Sequence, residues 1–180
     1  HPGSTSEVSQ VLKIANRAKV PVVVWGGGSG TQGGALPIKN GIILDVKRLN
    51  QILEIDEKSL TVRAQAGVNG GQLEWALNDR QLTLPHYPAS ANCATLGGYL
   101  APRGSGTIST KYGKAEDLVM SIEVVLADGT IVNSLLRPVR QAGKNGREDR
   151  RDEGRSPQCW PTKSRSTRTW PPSMPASSTS

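Results

Sequence analysis

The first twenty residues place apolar side chains at the period of a helix. Ser4 precedes this pattern and Glu7 follows it by three residues, which is the spacing of a capping box at a helix N-terminus. The sequence therefore predicts an amphipathic helix that begins after Ser4 and ends near Lys19. Its apolar face is formed by Val8, Val11, Leu12, Ala15 and Ala18.

The later apolar runs are short and rich in β-branched residues, as is typical of strands. Turn sequences at 56–58 and 127–129 join two pairs of these runs into predicted hairpins. A second helix is predicted over Gly71–Arg80, and Thr95 can cap a short one that ends at Leu100. This mixture indicates an α+β fold. The predicted strands are Val22–Trp25, Gly41–Asp45, Ile52–Ile55, Leu60–Ala66, Leu118–Leu126 and Thr130–Leu136.

The predicted buried strand Val22–Trp25 leads into a glycine-dense segment, Gly26–Gly34, here called the first loop. Six of its nine residues are glycine. Glycine has no Cβ, so its backbone can adopt positive φ and approach a ligand closely. Successive N–H groups can then point into one concavity and bind an anion such as a diphosphate. The alternative is a flexible turn, although a turn needs only one or two glycines.

Gly28–Gly33 also fits the dinucleotide pattern G-x-G-x-x-G, with Asp45 near the place of a ribose-binding acid. That pattern requires a helix to begin at its last glycine. Here Pro37 and the turn pair Asn40-Gly41 follow instead, and they leave no room for a helix. The sequence therefore predicts that the first loop joins strand to strand and that a dinucleotide would bind on a different scaffold.

Most of the net charge of +7 lies at one end of the chain. Residues 1–136 hold 12 Lys+Arg and 11 Asp+Glu, whereas residues 137–180 hold 10 and 4. A basic groove for nucleic acid is therefore not supported in the first three quarters of the chain. No partner nucleic acid is predicted.

The composition changes at Arg137. No Leu, Ile, Phe or Tyr follows this residue, and six of the 12 prolines lie beyond it. Such a segment cannot bury enough apolar surface to offset its ordering entropy. We therefore divide the chain into a folded domain, residues 1–136, and a basic tail, residues 137–180, that is either disordered or translated out of frame.

Targeting and metal signals are not found in the sequence. The chain begins at His1 and is expected to be a fragment. It shows no membrane-spanning run and no signal peptide. Cys93 and Cys159 offer neither a metal spacing nor a disulfide framework, so no metal is expected and a cytoplasmic location is the default.

Two further small-residue loops follow the first one: Ala89–Gly98, here the second loop, and Arg103–Gly106, here the third loop. Tyr112-Gly-Lys-Ala-Glu-Asp-Leu118 comes next. In this order, these segments resemble the PCMH-type FAD-binding domain of the vanillyl-alcohol oxidase superfamily. The similarity covers residues 2–136 and is greatest to the branch with alkyl-dihydroxyacetone-phosphate synthase, glycolate oxidase subunits and D-lactate dehydrogenases. It implies two small α/β subdomains.

The resemblance implies FAD as cofactor and assigns residues to its site. Flavin-linking members carry a histidine in the first loop, and this chain has none there, which implies non-covalent FAD. Pro102 stands where many relatives have a small residue. The implied contacts are Val24, Trp25, Gly26, Gly27, Gly28, Ser29 and Gly30 around the first loop, Pro88, Ala89, Ser90, Ala91, Asn92, Cys93, Ala94, Thr95, Gly97 and Gly98 around the second, and Pro102, Arg103, Gly104 and Ser105 around the third.

The chain also departs from the family pattern. A later Gly-Ser-Glu-Gly-Thr-Leu-Gly stretch and a substrate-binding cap domain are not found in it. The resemblance implies a flavin-dependent oxidoreductase acting on a 2-hydroxy acid, or an alkyl-dihydroxyacetone-phosphate synthase-like enzyme. The alternative is a non-catalytic fragment that at best binds FAD weakly, and this chain alone is expected to be inactive. Catalytic residues, substrate and oligomeric state stay open.

Five side chains in or near these loops have two interpretations. His86 lies between prolines and is interpreted as a turn residue rather than a flavin or substrate contact. Cys93 is interpreted as a small packed residue rather than a nucleophile. Arg103 is either the charge partner of the cofactor or a surface arginine. Glu116 and Asp117 enter a predicted strand, so they should point to opposite faces and share no acid–base role.

Overall fold

The computed structural model describes residues 1–135. Its mixture of short helices and separate strand pairs confirms the predicted α+β class, while the predicted disordered tail lies outside the described residues. The elements are α1 (Thr5–Ala18), β1 (Val22–Trp25), β2 (Ile42–Asp45), β3 (Ile52–Asp56), β4 (Thr61–Ala64), α2 (Gly70–Asn78), α3 (Leu96–Leu100), α4 (Ser109–Tyr112), a 3₁₀ turn (Ala115–Leu118), β5 (Ser121–Val125) and β6 (Ile131–Leu135).

Helix α1 begins and ends as its sequence predicts. The Ser4 hydroxyl accepts a hydrogen bond from the N–H of Glu7 at 3.2 Å. The Glu7 carboxylate accepts from the N–H of Gly3 at 2.7 Å rather than from the N–H of Ser4. The second hydrogen bond of the capping box is therefore made one residue earlier in the chain than predicted. At the other end Lys19 adopts left-handed φ of 54°, which stops the helix.

Strands β1 and β2 pair in parallel, with Val22 opposite Ile42 and Trp25 opposite Asp45. Parallel strands are usually joined by a crossover helix. Here the first loop and the residues after it make the connection without one, which confirms the predicted strand–loop–strand order. Helix α1 packs against this pair through a cluster centred on Val8, Leu44 and Leu49. No residue of β1 is fully buried and Val24 is 57% exposed, so the prediction of a buried strand is wrong.

Strands β3 and β4 form the predicted antiparallel hairpin. The Asp56 carboxylate closes its turn by accepting from the N–H of Lys58 at 2.8 Å. Helix α2 lies against this hairpin and buries Leu73 and Leu77 completely, because these residues are one helical turn apart on the same face. Trp75 points away from that face and is 69% exposed.

The region before the last hairpin differs from its prediction. Strand β5 begins at Ser121 instead of Leu118, and a 3₁₀ turn occupies 115–118. The Asp117 carboxylate accepts from the N–H of Lys114 at 2.8 Å, a local bond that favours a turn over a strand. Helix α4, which the structure contains, was not predicted from the sequence. Strands β5 and β6 then pair antiparallel across the turn at Gly129, which has φ of 83°.

Candidate functional site

The first loop depends on glycine for two different reasons. A Cβ at Gly27 would lie 1.9 Å from the carbonyl oxygen of Cys93, and one at Gly26 would lie 2.4 Å from the Thr95 hydroxyl. Gly28 has φ of 65°, and a Cβ there would meet the Trp25 ring at 2.5 Å. These three glycines are therefore required by the protein's own packing and backbone conformation.

Gly30 has no such internal reason. A Cβ at this position would meet nothing within 4 Å, and the residue is exposed. The same is true of Gly34 at the end of the loop. Neither Gly30 nor Gly34 is therefore required by packing within the described residues.

The backbone of the first loop offers free donors. Within the described residues, none of the N–H groups of residues 26–30 donates to a protein acceptor. The parallel ladder ends at the bond from the N–H of Val46 to the carbonyl of Trp25, at 3.0 Å. Five successive unpaired amides beside an open glycine have the donor chemistry of an anion-binding nest.

The second loop lies against the first, since Cys93, Ala94 and Thr95 are the residues that Gly26 and Gly27 approach. Its N–H groups are mostly used within the protein. The Thr95 hydroxyl accepts from Gly98 at 3.3 Å and so caps α3, as the sequence predicts. Other donors and their acceptors are Ala91 to Pro88, Cys93 to Ser90, Ala94 to Ser90, Leu96 to Val68 and Gly97 to Ala66.

The side chains of the second loop divide between interior and surface. Ala91, Ala94 and Thr95 are buried, whereas Ala89, Asn92 and Cys93 are exposed. The Cys93 thiol donates to the Ser90 carbonyl at 3.3 Å. The interpretation of Cys93 as a packed residue is therefore wrong, and its backbone rather than its sulfur contacts the first loop.

The third loop is held by its backbone. The N–H of Gly104 donates to the Tyr99 carbonyl at 2.9 Å, and the carbonyl of Gly104 accepts from the N–H of Ala115 at 3.1 Å. These bonds tie the loop to α3 and to the 3₁₀ turn. The neighbouring Pro102 and Ser105 are exposed.

Arg103 extends from the third loop into solvent. Its side chain is 76% exposed and its Nε lies 3.6 Å from Oε2 of Glu116. Glu116 belongs to the 3₁₀ turn, so the prediction that Glu116 and Asp117 alternate along a strand is wrong. The local bond between Asp117 and Lys114 turns the backbone there, and the two carboxylates take separate partners.

His86 is a buried residue that sequence reasoning interpreted only as part of a turn. Its N–H does donate to the Leu84 carbonyl at 2.7 Å, but its side chain is 5% exposed. The ring packs edge-on against Tyr99 with 4.9 Å between centroids. Neither ring nitrogen has a hydrogen-bond partner within the described residues, and burial lowers the His86 pKa. No local sequence signal marks this burial, because the ring is covered by Tyr99, which is distant in sequence.

Tyr99 stands at the centre of this region. It is buried with Ala94 and Ala115 in one apolar cluster, and its hydroxyl donates to the Ala91 carbonyl at 3.3 Å. Burial raises the pKa of Tyr99 to about 12, so the phenol stays protonated at neutral pH. Tyr99 therefore links the second and third loops as a structural group.

Residues 1–134 match a family model described as an FAD binding domain. The chain belongs to this family. FAD is therefore its cofactor, as the family resemblance implies. The free amides and open glycine of the first loop are chemically suited to the diphosphate of this cofactor.

Several relatives of this FAD-binding domain confirm the predicted branch. The chain is 42% identical over 142 residues to an uncharacterized FAD-linked oxidoreductase, YgcU, of Escherichia coli, covering 78% of this chain and 29% of that protein. It is 40% identical over 132 residues to a D-lactate dehydrogenase of Archaeoglobus fulgidus, covering 73% and 29% respectively. The chain thus spans about 29% of the length of these curated relatives.

A solved structure agrees with the sequence relatives. An alkyldihydroxyacetonephosphate synthase superposes on this FAD-binding domain with a TM-score of 0.67 and 34% identity, covering 76% of this chain and 27% of that one.

Among residues 1–135, no helix has both the length and the apolar character needed to cross a bilayer. The same residues contain no group of three or more acidic, histidine or cysteine side chains placed to hold a metal ion.

Proposed function

We propose that residues 1–136 are the FAD-binding part of a flavin-dependent oxidoreductase that acts on a 2-hydroxy acid of the glycolate or D-lactate type. The observation that carries this proposal is the row of unpaired N–H groups at residues 26–30 beside the open position of Gly30. The D-lactate dehydrogenase relative supports the substrate class. The similar synthase structure keeps an alkyl-dihydroxyacetone-phosphate synthase-like reaction as the second candidate.

In this proposal the protein residues bind and orient. The amides of the first loop hold the diphosphate, the second loop supports them from behind, and Arg103 supplies positive charge. FAD supplies the redox chemistry when bound, and the protein's part is to position it and exclude water. Substrate-binding and catalytic groups are proposed to come from a cap domain, as the family resemblance implies.

FAD is proposed to bind without a covalent link. The first loop contains neither histidine nor cysteine. The Cys93 thiol, which is near it in the second loop, is engaged with the Ser90 carbonyl. Precipitation of the FAD-loaded protein with acid should release all of the flavin into the supernatant. Flavin retained in the washed pellet would overturn this part of the proposal.

FAD titration of the 180-residue chain tests the proposed function. Flavin fluorescence should fall on binding, with a dissociation constant near micromolar, as expected for a domain with only part of the family's contacts. A chain that does not bind FAD contradicts the assignment of the first loop. The rival function is FAD binding without catalysis. Under the proposed function, anaerobic D-lactate or glycolate should bleach the bound flavin of a longer protein that carries the cap domain but not that of this chain alone, whereas under the rival function neither flavin should bleach.

A further inference from the structure

A groove of about 300 Å³ lies between one side of helix α2 and the segment 84–87. From α2 it is lined by Gly71, Trp75 and Asn78, which recur at helical spacing and therefore share one face of the helix. The segment 84–87 and the second loop form the other side. This volume is large enough for a small organic molecule.

The groove does not include the first loop. Residues 93–95 of the second loop approach Gly26 and Gly27 of the first loop. Ala91 and Asn92, which the family resemblance assigns to the cofactor, line the groove instead. Among residues 1–135, none from the first loop lines it. A ligand in the groove would therefore not contact the free N–H groups of residues 26–30.

The ring of His86 borders the groove and is the unsatisfied polar group there. It is 5% exposed, and neither ring nitrogen has a hydrogen-bond partner within the described residues. Its neighbours are already engaged, since the Tyr99 hydroxyl donates to the Ala91 carbonyl and the N–H of Gly104 donates to the Tyr99 carbonyl. A buried polar group is costly unless water or a ligand completes its hydrogen bonds.

The charges of the groove disfavour an ionic ligand. Among the described residues, those that line it include neither lysine nor arginine. The carboxylate of Glu74 already accepts from the Thr83 hydroxyl and from the N–H of Leu84. Burial lowers the His86 pKa, so the imidazole is neutral at pH 7, with one nitrogen that donates and one that accepts. The groove therefore suits a neutral molecule rather than a carboxylate or a phosphate.

The walls of the groove are aromatic. Trp75 is 69% exposed and Tyr87 is 53% exposed, whereas Tyr99 is buried. Aromatic side chains pack favourably against another ring in offset or edge-on arrangements. The Tyr87 carbonyl accepts from both the N–H and the hydroxyl of Thr107 at 3.1 Å. The exposed Tyr87 side chain can therefore adjust to a ligand while its backbone stays in place.

We propose that this groove binds a small neutral aromatic molecule with a hydroxyl group, its ring against Trp75 and Tyr87 and its hydroxyl bonded to His86. A hydroxyl both donates and accepts, so it can pair with either nitrogen of a neutral imidazole. The site lies outside the first loop and does not rest on the proposed function.

The first experiment titrates the 180-residue chain, without FAD, with phenol, toluene and benzoate. Phenol should shift the NMR signals of the His86 imidazole and the Trp75 indole and saturate at a dissociation constant of roughly 1 mM, since it offers few atoms for binding. Toluene should bind about tenfold more weakly because it leaves the imidazole unpaired. Benzoate should not bind. Shifts that do not saturate, or equal binding of toluene and phenol, would overturn the proposal.

The second experiment uses three variants. His86→Phe keeps a ring but removes the hydrogen bond, so phenol binding should weaken by about tenfold while toluene binding stays unchanged. Trp75→Ala changes an exposed side chain and should weaken both ligands by about threefold without affecting folding. Ile38→Ala is the matched control, because Ile38 is 86% exposed and does not line the groove. Unchanged phenol binding in His86→Phe or Trp75→Ala would place the ligand elsewhere.

FAD distinguishes this inference from the proposed function. Phenol should bind equally well with and without saturating FAD. Displacement of phenol by FAD would show that the groove is part of the cofactor site and would overturn the inference. A chain that binds phenol in the groove but fails to bind FAD would contradict the proposed function and leave the inference intact.

Discussion

The first and second loops are both built from glycine and other small residues, yet the hydrogen bonding of their N–H groups differs. In the first loop the N–H groups of residues 26–30 have no protein acceptor within the described chain. In the second loop, the N–H groups of Ala91, Cys93, Ala94, Leu96 and Gly97 all donate to protein carbonyls. Small residues thus permit close approach in both loops, but the first loop has the longer run of successive N–H groups without a protein acceptor among residues 1–135.

The two loops also meet, and this contact is where the largest mutational effect is expected. A Cβ at Gly27 would lie 1.9 Å from the Cys93 carbonyl oxygen, a backbone atom that cannot rotate away. Gly27→Ala should therefore lower the free energy of unfolding by about 3 kcal/mol or more. Urea denaturation followed by circular dichroism measures this. Gly34→Ala is the control, because a Cβ there meets nothing within 4 Å.

Substitution of Gly30 tests whether the free N–H groups of the first loop bind FAD. It should not disturb the contact between the first and second loops. Gly30→Val adds bulk where the protein has open space, so the free energy of unfolding should change by less than about 0.5 kcal/mol. FAD affinity should fall by at least about tenfold, since the side chain blocks approach to several charge-assisted hydrogen bonds.

Gly34→Val is the matched control for Gly30→Val, as both glycines are open and Gly34 lies beyond the residues assigned to FAD. Isothermal titration with FAD compares the two variants. Equal losses in both would show that bulk anywhere in the first loop is harmful, and unchanged affinity in Gly30→Val would remove the first loop from the site. Gly28 is unsuitable as a probe because its φ of 65° and the Trp25 ring make any side chain disruptive.

Substitution of Thr95 tests the hydrogen bonds that the second loop makes within the protein. Thr95→Ala removes the hydroxyl that caps α3 through the Gly98 N–H at 3.3 Å. The free energy of unfolding should fall by about 1 kcal/mol, as is usual when a helix cap is lost. Thr95→Ser keeps the hydroxyl and should recover most of this stability in thermal denaturation. If serine and alanine destabilise equally, packing of the threonine methyl group is the larger contribution.

The smallest expected effect concerns His86, which leads into the second loop. Burial lowers its pKa below the ordinary value of about 6.5. The unfolded chain then takes up a proton that the folded chain excludes, so stability should be constant above about pH 6.5 and decrease as the pH falls below it. The chain has only two histidines, so imidazole NMR can follow His86 against the exposed His1.

The control for this pH dependence is His86→Phe, a ring without a titratable nitrogen. Between pH 7 and pH 5 its stability should change less than that of the parent. An imidazole signal from His86 that titrates near 6.5 in the folded protein would contradict the predicted shift.

Local sequence signals predicted most of the elements. Ser4 and Thr95 mark helix starts because their hydroxyls satisfy amides within three residues, and Gly129 marks a hairpin because it adopts positive φ. Such interactions are short in sequence and can be read from one segment alone. The first loop was likewise predicted as a strand-to-strand connection, since Pro37 excludes a helix after it.

Features that depend on distant partners were not predicted. The parallel pairing of Val22 with Ile42 does not follow from either strand by itself. The exposure of Val24 and the burial of His86 depend on which layer covers each residue. Composition also gives no information on which amides find acceptors, and so the different uses of the first and second loops are visible only in three dimensions.

Helix α1 has a consequence for how the chain is made. The Ser9 hydroxyl donates to the Gly129 carbonyl at 2.5 Å, and the Thr5 hydroxyl donates to Glu123 at 2.7 Å. At ribosomal speeds of about 5–20 residues per second, these partners emerge roughly 6–25 s after α1. A helix of this length is marginal by itself. The apolar stripe of α1 can therefore pack against Leu44 and Leu49 early in synthesis, whereas the polar bonds that join α1 to the last hairpin form only at the end.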